Sequence, residues 1–429
     1  MSALPGHPFV AYQNAQLCVE DVVLSDLAGA YGTPLFVYSK ASMLAALAAY
    51  QRGFAGRNAQ ICYAMKANSS LGVLQVFARA GCGFDIVSGG ELERVLAAGG
   101  DASNVIFSGV GKTAAEMRQA LLAGIGCFNV ESAAELDALS GVAAQLGKRA
   151  PVSIRVNPNV DPKTHPYIST GLKDNKFGVA HEEALAIYRH AARLPGVEVV
   201  GIDCHIGSQI VDTTPYLDAM DRILDLVDAI EAAGIALAHI DFGGGLGINY
   251  NGDEPPQADA LWAQLLARID ARGHGGKKLM IEPGRSLVGN AGVCLTEVLY
   301  LKPGEHKNFC IIDAAMNDLP RPAMYQAFHG IVPLTSDEAG RTQTTYDVVG
   351  PVCESGDWIG RDRALAVQAG DQLAVLSAGA YCMSMSSNYN TRGRAAEVLV
   401  DGSQVHVIRQ RESAGDQMRH ERLVPASAS

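Results

Sequence analysis

Short apolar or β-branched runs, each ended by turn residues, recur along the first two thirds of the chain. They fall at residues 61–65, 84–87, 105–107, 126–130, 152–156, 197–204, 238–242 and 278–281. Between them lie alanine-rich stretches, among them 71–80, 113–123, 133–146, 182–193 and 216–233, with apolar residues at helical spacing. Strands alternating with helices in this way predict repeated βα units and a parallel sheet. Eight units favour a closed (β/α)8 barrel over an open doubly wound sheet.

After about residue 285 the pattern changes. Runs at 292–301, 309–313, 344–349, 372–376 and 397–400 read as strands, and long helical stretches between them are missing. This predicts a mostly antiparallel C-terminal β domain of sandwich or barrel-like form. The expected division is a barrel over 36–286, a β domain over 287–415 and a polar tail over 416–429. The first 35 residues are too short to fold alone and are expected to join the β domain.

With 429 residues, 48% hydrophobic and 18% charged, the chain can bury a large core and is not a disordered protein. The 34 Lys and Arg against 45 Asp and Glu leave a net charge of −11, with no basic block to offset it. Nucleic acids and anionic membranes are therefore poor partners. The nine cysteines are odd in number and lack CxxC spacing, which disfavours a disulfide scaffold or structural zinc. No apolar run reaches the ~18 residues of a membrane span, and residues 1–14 do not form a leader. A cytoplasmic protein is expected.

Chemistry in such a barrel belongs at the C-terminal strand ends. The first strand ends in Lys66, the sixth in Cys204-His205-Ile206-Gly207-Ser208, the seventh in Asp241-Phe242-Gly243-Gly244-Gly245-Leu246-Gly247, and the eighth in Glu282-Pro283-Gly284-Arg285. Each has an ordinary alternative: a solvated cation, a structural histidine, a flexible turn. The glycine run fails both the dinucleotide fingerprint and the P-loop, yet three adjacent glycines let backbone N–H groups approach a phosphate. No His/Asp cluster with metal-ligand spacing accompanies Glu282. An imine-forming amine, a ring-stacking imidazole, a phosphate cradle and an acid for a ring nitrogen together match the needs of pyridoxal 5'-phosphate. In the β domain, Cys353 lies between a proline turn and two acids and reads as a structural thiol or an exposed proton donor. Arg321 and Tyr325, in RPAMYQ, suit a carboxylate.

The segments YAMKAN, FDIVSGGEL, HIGSQI, DFGGGLG, EPGR, GPVCESGD and GAYCMSMSSNYN, in this order over residues 33–416, resemble the diaminopimelate decarboxylase family. That family belongs to the alanine-racemase-like, fold type III group of pyridoxal-phosphate enzymes. The resemblance implies that Lys66 carries the cofactor as a Schiff base, that His205 packs against its ring, and that Glu282 meets its pyridine nitrogen. It implies further cofactor contacts from Ser208, Gly244, Gly245, Pro283, Gly284, Arg285 and Tyr381. Substrate contacts would come from Arg285, Arg321, Tyr325, Glu354 and Tyr381, with Cys353 as proton donor. Cys353 and Glu354 would enter the partner subunit's site, making a homodimer the minimal active unit. The implied reaction is decarboxylation of meso-2,6-diaminopimelate to L-lysine and carbon dioxide, the last step of lysine biosynthesis by that route.

Rival readings are separable. Ornithine-type decarboxylases carry CDG where this chain reads CESGD, an alanine racemase would not need GPVCESGD, and arginine decarboxylases are longer. A regulator without catalysis would have lost Lys66 or Cys353. A class I aldolase would need no pyridoxal phosphate. The polar stretch 161–177 is expected to be a mobile lid or a dimer contact.

Overall fold

The computed structural model describes residues 3–425 apart from 163, 166, 167, 169, 171–174 and 337–340. Most of the central part of the 161–177 stretch thus lies outside the described residues. The chain forms two compact units, Lys40–Asn290 and Met1–Ser39 together with Ala291–Ser429.

In the first unit eight strands run parallel: Ala59–Ala64, Gly83–Ile86, Val105–Phe107, Cys127–Val130, Ala150–Asn157, Val197–Asp203, His239–Asp241 and Lys278–Ile281. Each pairs with its successor in sequence. The last returns to the first, with Leu279 opposite Ala59 and Ile281 opposite Ile61, which closes the barrel. All eight lie where the apolar runs place them. Four are buried at every residue, because a parallel strand is covered on both faces and so reads as a continuous apolar run. The alanine-rich stretches are helices, including Leu71–Arg79, Ala114–Ala123, Ala133–Gln145, His181–Ala191 and Thr214–Ala232. Three helices of this unit, Gly89–Ala97, Ala114–Ala123 and Ala133–Gln145, start on side-chain caps. Thr113 and Glu116 form a reciprocal capping box, and Ser88 and Ser132 each accept a backbone N–H three residues on.

In the second unit the long strand Gly292–Lys302 is central. It pairs antiparallel with Leu35–Ser39, Gln372–Val375 and Asn308–Ile312. Asn308–Ile312 pairs parallel with Thr344–Val349, and Leu35–Ser39 parallel with Ala396–Asp401. Four short N-terminal strands between Ala3 and Val23 form an antiparallel sheet of their own. Val10, Leu17, Val37, Leu295, Ala374 and Val398 share one core cluster, so the N-terminal segment packs into this unit. Leu35–Ser39, buried at every residue, is a sheet strand of this unit. Trp358–Leu365 and Gln404–Arg409 are strands that the apolar pattern does not show; the second has no buried residue at all. Among the described residues, no helix is long and apolar enough to cross a membrane.

Candidate active site

Lys66, His205, Ser208, Gly244, Gly245 and the 282–285 segment follow the C-terminal ends of the barrel's strands. Lys66 sits in a single 3-10 turn, Met65–Ala67, directly after the first strand. The turn is pinned by Tyr63, whose hydroxyl donates to the Asn68 carbonyl at 2.9 Å, and by Asn68, whose side chain accepts the Ser70 N–H. Lys66 Nζ donates to Asp85 Oδ2 at 2.5 Å. Asp85, next to last in the second strand, has its side chain fully buried, while the Lys66 side chain remains 37% exposed. The amine is therefore held by an anchored carboxylate yet reachable from solvent.

Glu282 follows the eighth strand and accepts from Asn129 Nδ2 at 3.1 Å; the same amide donates to Ser108 at 3.3 Å. Oxygens of Glu282, Asp203 and Asp241 all lie within 4.8 Å of one another. Spacing along the sequence hides this cluster, because its members come from three adjacent strands. Burial, and then the neighbouring acids, push all three carboxyls above their ordinary range, Asp203 to about 7. Lys66 opposes the shift at Glu282, and Arg155 opposes it at Asp203. Asp85 Oδ1, Asp203 Oδ1 and Asp241 Oδ2 are buried without a hydrogen-bond partner among the described residues. Such a nest of crowded, undersatisfied acids disfavours full ionisation and favours a cationic N–H donor.

His205 Nδ1 accepts the Gly244 N–H at 3.1 Å. Burial, Arg155 and Lys66 hold its pKa well below the ordinary histidine range, so the ring is neutral with its proton on Nε2. Gly244 and Gly245 are required sterically. A Cβ at Gly244 would overlap the Glu282 carbonyl oxygen, and Gly245 takes φ +108°, where its Cβ would meet the Gly207 oxygen. Pro283 accepts the Ala64 N–H through its carbonyl, and a Cβ at Gly284 would press on Ala64, so the eighth strand's exit is locked to the first. Arg285 donates to Ser208 Oγ from Nε at 3.3 Å and Nη2 at 3.0 Å, and to the Tyr250 hydroxyl from Nη1 at 2.7 Å. A buried guanidinium, a hydroxyl and a glycine turn form a donor set suited to a phosphate. Amine, acid, neutral imidazole and anion donors all fit pyridoxal phosphate.

The β unit carries the other expected residues. Cys353 and Glu354 occupy the exposed turn between Thr344–Val349 and Trp358–Leu365. Buried Asp357 anchors that turn by accepting the Val352 and Met316 N–H groups, both at 2.7 Å. Asn390 brackets Cys353: its Oδ1 accepts the Cys353 N–H and its Nδ2 lies 3.2 Å from Sγ. The Tyr389 hydroxyl donates to Glu354 at 2.7 Å, and that bond pushes the phenol up to about 12. Cys353 is the exposed thiol of the nine; the other eight are buried. Arg321 and Tyr325 bound a five-residue helix. Tyr381 follows Gln372–Val375 in a left-handed conformation at φ +57°, a strained backbone of the kind that collects at functional sites. Asp85, Asn129, Tyr389 and Asn390 are contacts that the sequence did not single out, although three of them lie inside the motif segments.

Glu282→Gln separates the acid nest from the rest. Raised carboxyls contribute stability below the ordinary carboxylate range and lose it as pH climbs through their raised values. Removing one charge is expected to raise the melting temperature of cofactor-free protein by ~2–4 °C at pH 8 and by little at pH 5, while weakening cofactor retention. An equal gain at both pH values would show that the crowding is not electrostatic.

The family described as "Pyridoxal-dependent decarboxylase, pyridoxal binding domain" matches residues 40–289. A diaminopimelate decarboxylase of Pseudomonas aeruginosa is 56% identical over 415 residues, 97% of this chain and 99% of the relative. The crystal structure of diaminopimelate decarboxylase from Helicobacter pylori complexed with L-lysine is 41% identical, with a TM-score of 0.88 over 93% of this chain and 99% of that one. The M. jannaschii enzyme in co-complex with L-lysine gives 36% and 0.92, over 98% and 99%. With Lys66, Glu282 and the glycine turn on the rim of one closed barrel, and with this similarity along nearly its whole length, the chain belongs to the diaminopimelate decarboxylase family of pyridoxal-phosphate-dependent enzymes.

Proposed function

We propose that the protein decarboxylates meso-2,6-diaminopimelate to L-lysine and carbon dioxide in the cytoplasm, as the last step of lysine biosynthesis. One observation carries the chemistry: the Lys66–Asp85 pair and the Asn129–Glu282 pair lie on strand ends of one barrel. Pyridoxal phosphate, when bound, supplies the electron-accepting ring that takes up the pair left by departing carbon dioxide.

The chain's own residues do the rest. Lys66 anchors the cofactor through its amine, and Glu282 accepts the ring N–H, with Asn129 fixing the carboxylate's direction. Arg285, Ser208, Gly244, Gly245 and the 283–284 backbone hold the phosphate, with Tyr381 as a further contact. His205 supports the ring face as a neutral imidazole. Arg285 and Arg321 serve the carboxylate that is retained, Glu354 serves an ammonium group, and Tyr325 and Tyr381 complete the substrate contacts. Cys353 delivers the proton to the carbon that has lost carbon dioxide. In this reading the active unit is a homodimer, with Cys353 and Glu354 of one copy acting in the site of the other. Eight buried thiols with no disulfide among the described cysteines support a reducing compartment.

Incubating the purified protein with meso-diaminopimelate, ornithine and arginine separately tests the substrate. Carbon dioxide should come from the first; release from ornithine alone would overturn the reading. Arg321→Ala tests recognition. Losing a charged hydrogen-bonding partner of about 1.5–3 kcal/mol should raise KM for diaminopimelate by roughly 10–100-fold. Unchanged turnover would remove Arg321 from its role.

A further inference from the structure

Arg321 is held by a histidine that the reaction does not otherwise use. His329 is wholly buried and Arg321 is 5% exposed. Arg321 Nη1 lies 2.8 Å from His329 Nε2, and His329 Nδ1 lies 2.8 Å from the Leu376 carbonyl oxygen. A guanidinium can only donate, so Nε2 must be the acceptor; a carbonyl can only accept, so Nδ1 carries the proton. The two contacts together allow one state, the neutral Nδ1–H tautomer. A protonated ring would aim an N–H at the guanidinium.

The backbone makes this arrangement rigid. Gln326 ends the Arg321–Tyr325 helix in a left-handed conformation, and the chain then enters the strand Ile331–Pro333. That strand pairs antiparallel with Gln372–Val375, and the Leu376 N–H donates to the Gly330 carbonyl at 2.8 Å. The His329 imidazole thus extends a backbone ladder by one side-chain bond, five residues before Tyr381. One ring ties the helix bearing Arg321 to the segment leading to Tyr381.

We propose that His329 is a positioning residue: fixed by the Leu376 carbonyl through Nδ1–H, it aims the Arg321 guanidinium through Nε2 and so sets selectivity for ligands with a distal carboxylate. The inference rests on Arg321 as the carboxylate-binding residue. An imidazole serving only the core would affect all ligands alike.

Two variants divide the ring's two bonds. His329→Asn places an amide nitrogen near the Nδ1 position, keeping the bond to Leu376 and removing the acceptor from Arg321. His329→Gln places an amide oxygen near the Nε2 position, keeping the acceptor and losing the backbone bond. The holoenzymes are compared in KM and kcat for meso-diaminopimelate and in Ki for L-lysine and for 1,5-diaminopentane, which is lysine without its carboxylate. His329→Asn should raise KM and the lysine Ki about tenfold, as expected for one hydrogen bond to a charged group. Its kcat should stay within about twofold, and its diaminopentane Ki should not move. His329→Gln should keep the lysine Ki within about threefold of wild type. Unchanged lysine binding in His329→Asn, or equal loss of lysine and diaminopentane binding, overturns the proposal. If His329→Asn does not fold, selective loss of lysine binding in His329→Gln overturns it, and retention supports it. Arg321→Ala run alongside separates the failures: if that variant too binds lysine normally, the reading of Arg321 falls rather than the coupling to His329.

Discussion

Lys66→Ala is expected to leave a protein that folds, lacks the visible absorbance of bound pyridoxal phosphate, and releases carbon dioxide at least about 10³-fold more slowly. In the proposed reaction the loss is chemical first, since there the amine bonds the cofactor and later releases the product. It is also electrostatic. Asp85 is fully buried, Lys66 holds its Oδ2, and its Oδ1 has no hydrogen-bond partner among the described residues, so removing the ammonium leaves a stranded carboxylate. Breaking a fully buried pair costs about 3–5 kcal/mol. Lys66 is partly solvated, so about 1–2 kcal/mol is a better expectation here. Adding Asp85→Asn to Lys66→Ala should therefore recover most of the lost melting temperature and none of the activity. A Lys66→Ala protein with the wild-type spectrum would remove the residue from its role. A double variant no more stable than the single would show that the ion pair contributes nothing to the fold.

The same pair shows where sequence reading runs out. The barrel was legible because strands such as Val105–Phe107 and Cys127–Val130 are buried on both faces, and burial demands unbroken apolar runs. Lys66 and Glu282 were legible because a charge directly after such a run marks a strand end. Asp85 was not singled out, although it lies in the segment FDIVSGGEL: its importance comes from the neighbouring strand, nineteen residues from Lys66 and in direct contact with it. The Asp203–Asp241–Glu282 nest is invisible for the same reason, since the side-by-side pairing of strands six to eight, not spacing along the chain, brings its oxygens together. In the β unit Trp358–Leu365 buries Ile359, Gly360 and Leu365 but breaks the run with Arg361, Asp362 and Arg363, and Gln404–Arg409 buries none, so neither leaves an apolar signature. His329 looks like any isolated histidine until its two partners are known.

Cys353→Ala is expected to lower lysine formation by roughly 10²–10⁴-fold, the usual effect of losing a placed proton donor. The thiol is suited to that task. It is exposed where the other eight are buried. Asn390 on its sulfur and backbone, and Asp357 beneath its turn, fix where it points. In deuterated water the wild-type enzyme should place one deuterium, in one configuration, on the carbon that lost carbon dioxide. Without the thiol, water must reach that carbon unaided, and the label should become slow and mixed in configuration. A Cys353→Ala enzyme with normal rate and single configuration would assign the proton to another group. The same variant tests whether two copies share a site. Lys66→Ala and Cys353→Ala chains are each inactive alone, but if each site takes Lys66 from one copy and Cys353 from the other, mixed dimers contain one intact site. Random exchange makes half the dimers mixed, so about a quarter of wild-type activity should return. If both residues of a site came from the same chain, mixing would restore nothing.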